Sequence, residues 1–226
     1  MKKIFVIVSF LVCTVASAQV TKLKSGFGLS VRSGVSYFSN KYPNSGYNYI
    51  SDKPAFIIGV SLFHEKQMSN NVIFRTQLSY LERGERSEWW QGTYIGSIRM
   101  GNSNLIDRYA SVDMSLKQLF GKSKVRPYLQ AGVRTDVYLN TKTKYMRLED
   151  SQYSTSSYST TGKNKYYHPI NLSGFVGVGL STKRWDVGLE YNSSFFRVNK
   201  QVAYNSGSGI QNFRTLNLQL SYRFCK

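Results

Sequence analysis

Three observations predict an all-β chain folded as one eight-stranded antiparallel up-and-down barrel. From Leu216 to Phe224, the apolar Leu216, Leu218, Leu220, Tyr222 and Phe224 alternate with Asn217, Gln219, Ser221 and Arg223. That period of two marks a strand with one oily and one polar face. Seven further segments carry the same alternation, and the connections between the eight are by turns long and short. An apolar terminal strand needs a neighbour on each edge, and closing the sheet on itself supplies both.

Residues 1–18 stand apart. Lys2 and Lys3 precede the apolar run Ile4 to Val12, and Ala16-Ser17-Ala18 gives a small-residue site before Gln19, the three-part pattern of a secretory signal peptide. Thr14 and Ser17 cut the run short of the roughly 20 residues a spanning helix needs. The expected organisation is a signal peptide, 1–18, cleaved after Ala18, and one barrel domain, 19–226. Cys13 would leave with the signal, and Val12 stands where a lipid-attachment site wants a small residue. Cys225 is then alone, without an intrachain disulfide partner.

The first expected strand, 26–38, sets Phe27, Leu29, Val31, Val35 and Tyr37 against Gly28, Ser30, Arg32, Gly34 and Ser36. A connection dense in turn residues, Tyr42-Pro43-Asn44-Ser45-Gly46, runs on to Pro54. The second strand spans about 55–64, with a polar turn from Glu65 to Asn71. The third, 72–84, opposes Phe74, Thr76, Leu78 and Tyr80 to Arg75, Gln77 and Ser79, and a long connection with Trp89 and Trp90 follows.

The fourth strand, 107–119, alternates Ala110, Val112, Met114 and Leu116 with Ser111, Asp113, Ser115 and Lys117. After a short turn at 121–124, the fifth, 125–140, carries Leu129, Ala131, Val133, Val137 and Leu139 against Tyr128, Gln130, Gly132, Arg134, Asp136 and Tyr138. Pro127 near its start costs little, because a missing donor does least harm at a strand end. The stretch 141–167 is the longest connection, and its Ser/Thr/Tyr-rich tract 151–161 reads as a mobile loop. The sixth strand, 168–181, turns tightly at Thr182-Lys183-Arg184 into the seventh, where Trp185, Val187, Leu189 and Tyr191 oppose Asp186, Gly188, Glu190 and Asn192. Residues 198–211 make the last long connection.

An even strand number, strands of about ten residues, and long loops facing short turns are the marks of an outer-membrane barrel with long loops outside the cell and short turns in the periplasm. Tyr 17 and Phe 13 against Pro 4 suit a strand-rich chain. The net charge of +18 would suit nucleic acid, anionic lipid or anionic glycan, and export removes the first. The competing fold is a soluble eight-stranded barrel of lipocalin type, with its apolar face inward, which the alternation fits equally. The loop asymmetry favours the membrane. So do aromatics near strand ends, namely Tyr37, Tyr80, Trp185, Tyr222 and Phe224, as interface residues, and so do Gly and Ser on the polar face. Eight strands leave a lumen just wide enough for side chains.

Several segments resemble the PorT-like outer-membrane β-barrel family of Gram-negative bacteria. They are residues 59–84, with Gln77-Leu78-Ser79-Tyr80 and Arg83-Gly84, and Arg126-Pro127-Tyr128-Leu129-Gln130-Ala131-Gly132. Residues 174–179, Gly188-Leu189-Glu190-Tyr191 and Leu220-Ser221-Tyr222-Arg223-Phe224 complete the likeness. The resemblance implies an eight-stranded outer-membrane barrel and no shared catalytic residues. One type of member is linked to a secretion and gliding apparatus, which implies a role in cell-surface protein export. Cys225-Lys226 after Phe224 departs from the usual aromatic end of such barrels.

The inward face collects Arg32, Arg75, Lys117, Arg134 and Arg223 with Asp113, Asp136, Asp186 and Glu190. Charges in so narrow a space must pair, and the network reads as a lumen plug, with a narrow gated transport pore as the alternative. The run Gly174-Phe-Val-Gly177-Val-Gly179 lacks the following helix and the spacing of a phosphate loop. His64 and His168 are the sole histidines, and no cluster has metal-ligand spacing; no cofactor is expected. A lipid A-modifying enzyme needs a histidine-activated serine, but His168 and Ser173 fall on opposite faces. In the connections, Trp89, Trp90, Tyr94, Tyr145, Tyr153, Tyr158, Tyr166 and Tyr167 interleave with Arg86, Arg99, Lys142, Lys144, Arg147, Lys163 and Lys165, a mix suited to phosphates or glycans. The expectation is a non-enzymatic structural or interaction protein. Its expected partners are outer-membrane lipid and the barrel assembly machinery, with lipopolysaccharide, a surface glycan or secretion-complex proteins as candidates at the loops.

Overall fold

The computed structural model describes residues 25–40, 48–93, 96–148, 155–162, 168–196 and 211–224. The expected signal peptide, 1–18, lies outside the described residues, as does nearly all of the connection at 198–211. The strands are β1 (Ser25–Asn40), β2 (Asn48–Lys53), β3 (Ala55–Gln67), β4 (Val72–Thr93), β5 (Gly96–Leu119), β6 (Arg126–Leu148), β7 (Thr155–Gly162), β8 (Ile170–Ser181), β9 (Trp185–Ser194) and β10 (Gln211–Arg223).

Eight of these close an antiparallel up-and-down barrel. β1, β3, β4, β5, β6, β8, β9 and β10 pair in that order. β10 then returns to β1, from Gly28 opposite Arg223 to Asn40 opposite Gln211. No open edge remains in the wall, which answers the hazard that the apolar terminal strand posed.

The apolar face is the outer one. Leu62 on β3 is 59% exposed and Leu218 on β10 is 53% exposed, whereas Arg32, Ser36, Arg134 and Asn217 on the opposite face are sealed from solvent. This is the reverse of a lipocalin-type interior, so the soluble alternative is excluded by which face points in.

The short connections gather at one end. The Met68 and Ser69 amides donate to the Val72 carbonyl at 2.8 and 3.2 Å, and the Thr182 amide donates to the Trp185 carbonyl at 2.7 Å. At the β5–β6 turn Gly121 takes φ +74°, a left-handed value that suits a residue without Cβ, and the Ser123 hydroxyl donates to the Val125 carbonyl. β1 begins and β10 ends at this same end, where Ser25 faces Lys66 and Arg223 faces Gly28.

The far end differs from expectation. Strands β4 and β5 run on as one hairpin to Thr93 and Gly96, so Trp89 and Trp90, expected in a connection, lie on a strand at a register shift. β2 pairs with this extended β4 and carries on the line of β3 beyond Pro54. β7 pairs with the extended β6. The tract expected to be a mobile loop is therefore strand from residue 155 to 161. Its lack of apolar side chains reads as loop, but Thr and Tyr favour strands, and the ladder of hydrogen bonds comes from the main chain of β6. Together β2, β4, β5, β6 and β7 make a five-stranded sheet standing beyond the barrel rim. The polar turn expected from Glu65 also starts later, since β3 continues to Gln67.

Candidate functional site

Strand parity fixes which charges enter the barrel. Inward positions alternate along each strand, and the nine charged residues expected on that face are all there, in three connected groups. The group at the short-turn end joins Lys117 of β5 to Glu65 at 3.0 Å and to Asp186 at 2.5 Å. Arg223 donates to Glu65 and to Asp186 at 2.6 Å each. Arg75 stands 3.7 Å from each of the same carboxylates and donates to the Ser221 hydroxyl at 2.9 Å.

The middle group is built on Asp113. Arg134 donates from Nε at 2.8 Å and from Nη2 at 3.0 Å, and Arg32 donates from Nη2 at 2.8 Å. Glu190 accepts from Arg134 Nη2 at 2.7 Å and lies 3.8 Å from Arg32. Toward the rim, Arg83 donates to Asp136 at 3.1 Å, and Asp136 also accepts from Ser111 at 2.6 Å. Asp107 accepts from the Thr141 hydroxyl at 2.5 Å.

Rings cover the flat faces of the cations. Arg75 lies 3.8 Å over Phe63, and Arg83 sits 3.6 Å from Phe213 and 4.7 Å from Tyr109. Lys117 lies over Tyr128 and Arg134 over Phe175. Such contacts strengthen where water is excluded. They need room, and glycines on adjacent strands provide it: a Cβ on Gly132 would meet the Phe175 ring at 2.6 Å.

Three lumen charges were missed by the sequence reading: Glu65, Arg83 and Asp107. Each shares the inward parity of its strand, with Phe63, Gln77 and Asp113 respectively: Arg83 and Asp107 lie within the expected strands 72–84 and 107–119, where parity alone points them inward, and a second strand drawn one residue past 64 would have added Glu65. With them, the described lumen holds six cations, Arg32, Arg75, Arg83, Lys117, Arg134 and Arg223, and six carboxylates, Glu65, Asp107, Asp113, Asp136, Asp186 and Glu190. The interior is formally neutral. A buried charge is tolerated when paired and hydrogen-bonded, and this packing fills the bore with side chains.

The aromatics expected at interfaces are outward. Tyr37, Tyr80, Trp185 and Phe224 are exposed, and Tyr222 is half-buried. Trp185 and Tyr222 stack at 4.6 Å between centroids, and Tyr222 meets Phe224 edge-on at 5.7 Å, forming a cluster at the short-turn end. Tyr80 donates to Glu82 at 3.0 Å on the opposite side of the wall. His168 is exposed, while Ser173 is buried in the lumen with its hydroxyl 3.5 Å from the Arg134 carbonyl. They form no catalytic pair. Of the aromatic and basic residues expected in connections, Arg86, Trp89, Trp90, Arg99, Lys142, Lys144, Tyr145, Arg147 and Tyr158 fall on strands. Tyr94, Tyr153, Lys163, Lys165, Tyr166 and Tyr167 lie outside the described residues.

Fold and interior together define a closed eight-stranded antiparallel barrel, apolar outside and ion-paired within. No family model matches the chain, and no curated protein matches it. Its structure is similar to that of Ail, the attachment invasion locus protein of Yersinia pestis, solved with the heparin analogue sucrose octasulfate, at 14% identity and a TM-score of 0.41 over 89% of this chain and 99% of that one. It is also similar to Neisserial surface protein A, at 18% identity and 0.39 over 90% and 100%. The outer membrane protease OmpT of Escherichia coli matches at 12% identity and 0.43 over 89% and 95%. The barrel assignment rests on the strand register itself.

Proposed function

We propose that the chain is an integral outer-membrane protein without enzymatic activity, whose plugged barrel anchors a β-sheet that it holds out from the cell for interaction. The observation that carries this reading is the pairing of an apolar outer wall with a neutral, ion-filled bore. An apolar surface that encircles the whole molecule far exceeds the few hundred Å² that soluble monomers tolerate, and lipid is the medium that covers it. Closure of the sheet is also what a lipid-facing wall needs, because strand pairing satisfies main-chain polar groups within the wall.

A role as accessory of a surface secretion apparatus is the finer form of the proposal, and it rests on the PorT-like strand motifs. The five-stranded sheet beyond the rim is the part available to such partners. Purified protein in a planar bilayer tests the plug. Inserted protein with no steady conductance is the expected result, and stable single-channel openings would replace the plug with the gated pore.

A further inference from the structure

The end of the barrel that carries the short turns is crowded with cations. The stretches 65–72, 119–127 and 181–186 hold Lys66, Lys122, Lys124, Arg126, Lys183 and Arg184, but only two of the chain's twelve acids, Glu65 and Asp186. Both acids are already shared among three lumen cations, Lys117, Arg75 and Arg223. Of the six cations at the turns, five are exposed and Arg126 is half-buried. Among the described residues none of the six makes an ion pair. Arg126 bonds only neutral groups: Nη2 donates to Asn71 Oδ1 at 2.6 Å and Nη1 to the Asn70 carbonyl at 3.5 Å. Its buried Nε has no partner among the described residues.

Sunk into this end is a cavity of about 380 Å³, of the size that takes a small ligand or a short stretch of chain. Lys124 and Arg126 from one turn and Lys183 from another line it. Glu65, Ile73, Leu119, Ser181 and Arg223 also line it, and each carries the lumen parity of its strand. The cavity therefore opens along the barrel axis, away from the lipid around the outer wall. It is blind, because Glu65 and Arg223 are locked at 2.6 Å to each other and belong to the group that closes the bore. From this geometry we infer that the cavity receives an acidic peptide segment of a periplasmic protein, its carboxylates held by Lys124, Arg126 and Lys183. The inference rests on the outer-membrane reading above, which turns this end to the periplasm. Clustered basic side chains are a recurrent way of reading acidic motifs. Ile73 and Leu119 offer apolar contact that a bare inorganic anion does not use, and Ser25, Gln67 and Thr182 offer hydrogen bonds to a peptide main chain. The one acid in the lining, Glu65, already accepts from Lys117 and Arg223. The chain's own flanking residues, 19–24 and 225–226, bring Lys22, Lys24 and Lys226 and no acid, so like charge keeps them from filling the site.

The test uses full-length mature protein in nanodiscs, where both ends of the barrel meet water, and a fluorescent peptide of alternating Asp and Leu beside its Asn-Leu counterpart. The wild type should bind the Asp-Leu peptide in a salt-dependent manner and the Asn-Leu peptide far more weakly. Lys124→Gln/Arg126→Gln/Lys183→Gln should weaken binding of the acidic peptide about tenfold, the loss expected from three exposed ion pairs. Should the loss of Arg126 disturb the turn it bonds, Lys124→Gln/Lys183→Gln changes exposed residues alone and should still weaken binding several-fold. The equal charge change Lys66→Gln/Lys122→Gln/Arg184→Gln, at the same end but outside the cavity, should have much the smaller effect, because salt screens charges that do not touch the ligand. Equal weakening by the two triple variants, or equal binding of the two peptides, would overturn the site. Retention of phosphatidylglycerol that the cavity variant removes, with no uptake of the peptide, would assign these cations to lipid headgroups and overturn the peptide ligand. Insertion and heat-modifiable mobility are measured on the same samples, so failure of the barrel reading would appear there separately.

Discussion

Asp113→Asn tests the middle group of the lumen most sharply. Asp113 accepts three hydrogen bonds from two guanidinium groups, at 2.8, 2.8 and 3.0 Å. The change preserves shape, removes one negative charge, and turns an amide N–H toward a donor. Arg32 and Arg134 are then left with Glu190 as the acid of their group. Removing one partner from a buried pair costs about 3 to 5 kcal/mol. Glu190→Gln disturbs one short bond, at 2.7 Å, and one contact at 3.8 Å, so its cost should be nearer the worth of one charged hydrogen bond, about 1.5 to 3 kcal/mol. Both variants would be refolded into lipid vesicles and unfolded in urea, followed by tryptophan fluorescence and by gel mobility before and after heating. Asp113→Asn should unfold at a clearly lower urea concentration than Glu190→Gln, and salt should change the gap little, because buried pairs are weakly screened. Equal midpoints for the two variants and the wild type would mean that water solvates these charges, and the packed-lumen argument would fall.

Gly132→Val should prevent or strongly weaken folding by forcing Phe175 from beneath Arg134, a cost of about 1 to 3 kcal/mol or more for overpacking, read as a lowered temperature for the heat-modifiable gel shift; an unshifted temperature would show that the ring has room to move. Ser159→Cys in a Cys225→Ser background should label on whole cells with an impermeant maleimide and Ser123→Cys should not, since long and short connections lie on opposite sides of such barrels; the opposite pattern would invert the topology. Intact mass of membrane-extracted protein should show a chain beginning at Gln19, and a mass that includes residues 1–18 would remove the export argument.

The wall was legible where one rule sufficed. On β9 and β10 the alternation of Val187, Leu189 and Tyr191 with Asp186, Gly188 and Glu190, and of Leu216, Leu218 and Leu220 with Asn217, Gln219 and Ser221, is unbroken, because lipid-side and lumen-side demands never conflict there. The rim sheet was hidden because no apolar stripe marks it: β7 is almost wholly polar and β2 sets Tyr49 and Ile50 among polar residues, so no period of two arises, and pairing is decided by main-chain bonds to β4 and β6. Nine of the lumen charges followed from parity along the expected strands. Arg83 and Asp107 lay at the ends of the expected strands, and Glu65 was assigned to a turn that β3 overruns. The interior rings had no warning in the narrow-bore argument, which favours small residues inside. Phe175 fits because Gly132 leaves the space beside it, and Arg134 occupies its face, a three-residue coincidence that spacing along one strand does not display.

The central claim, that the apolar face of a closed barrel meets lipid while the polar face is packed shut, is tested most directly on β10. Single nitroxide labels at positions 216 through 221, in protein reconstituted in a bilayer, would be read for relaxation by oxygen, which concentrates in lipid, and by a water-soluble nickel chelate. The account predicts that 216, 218 and 220 respond strongly to oxygen and weakly to nickel, and that 217, 219 and 221 respond weakly to both. Strong nickel relaxation at 217, 219 and 221 would reveal an open aqueous bore, and strong nickel relaxation at 216, 218 and 220 would show that the apolar face does not meet lipid at all.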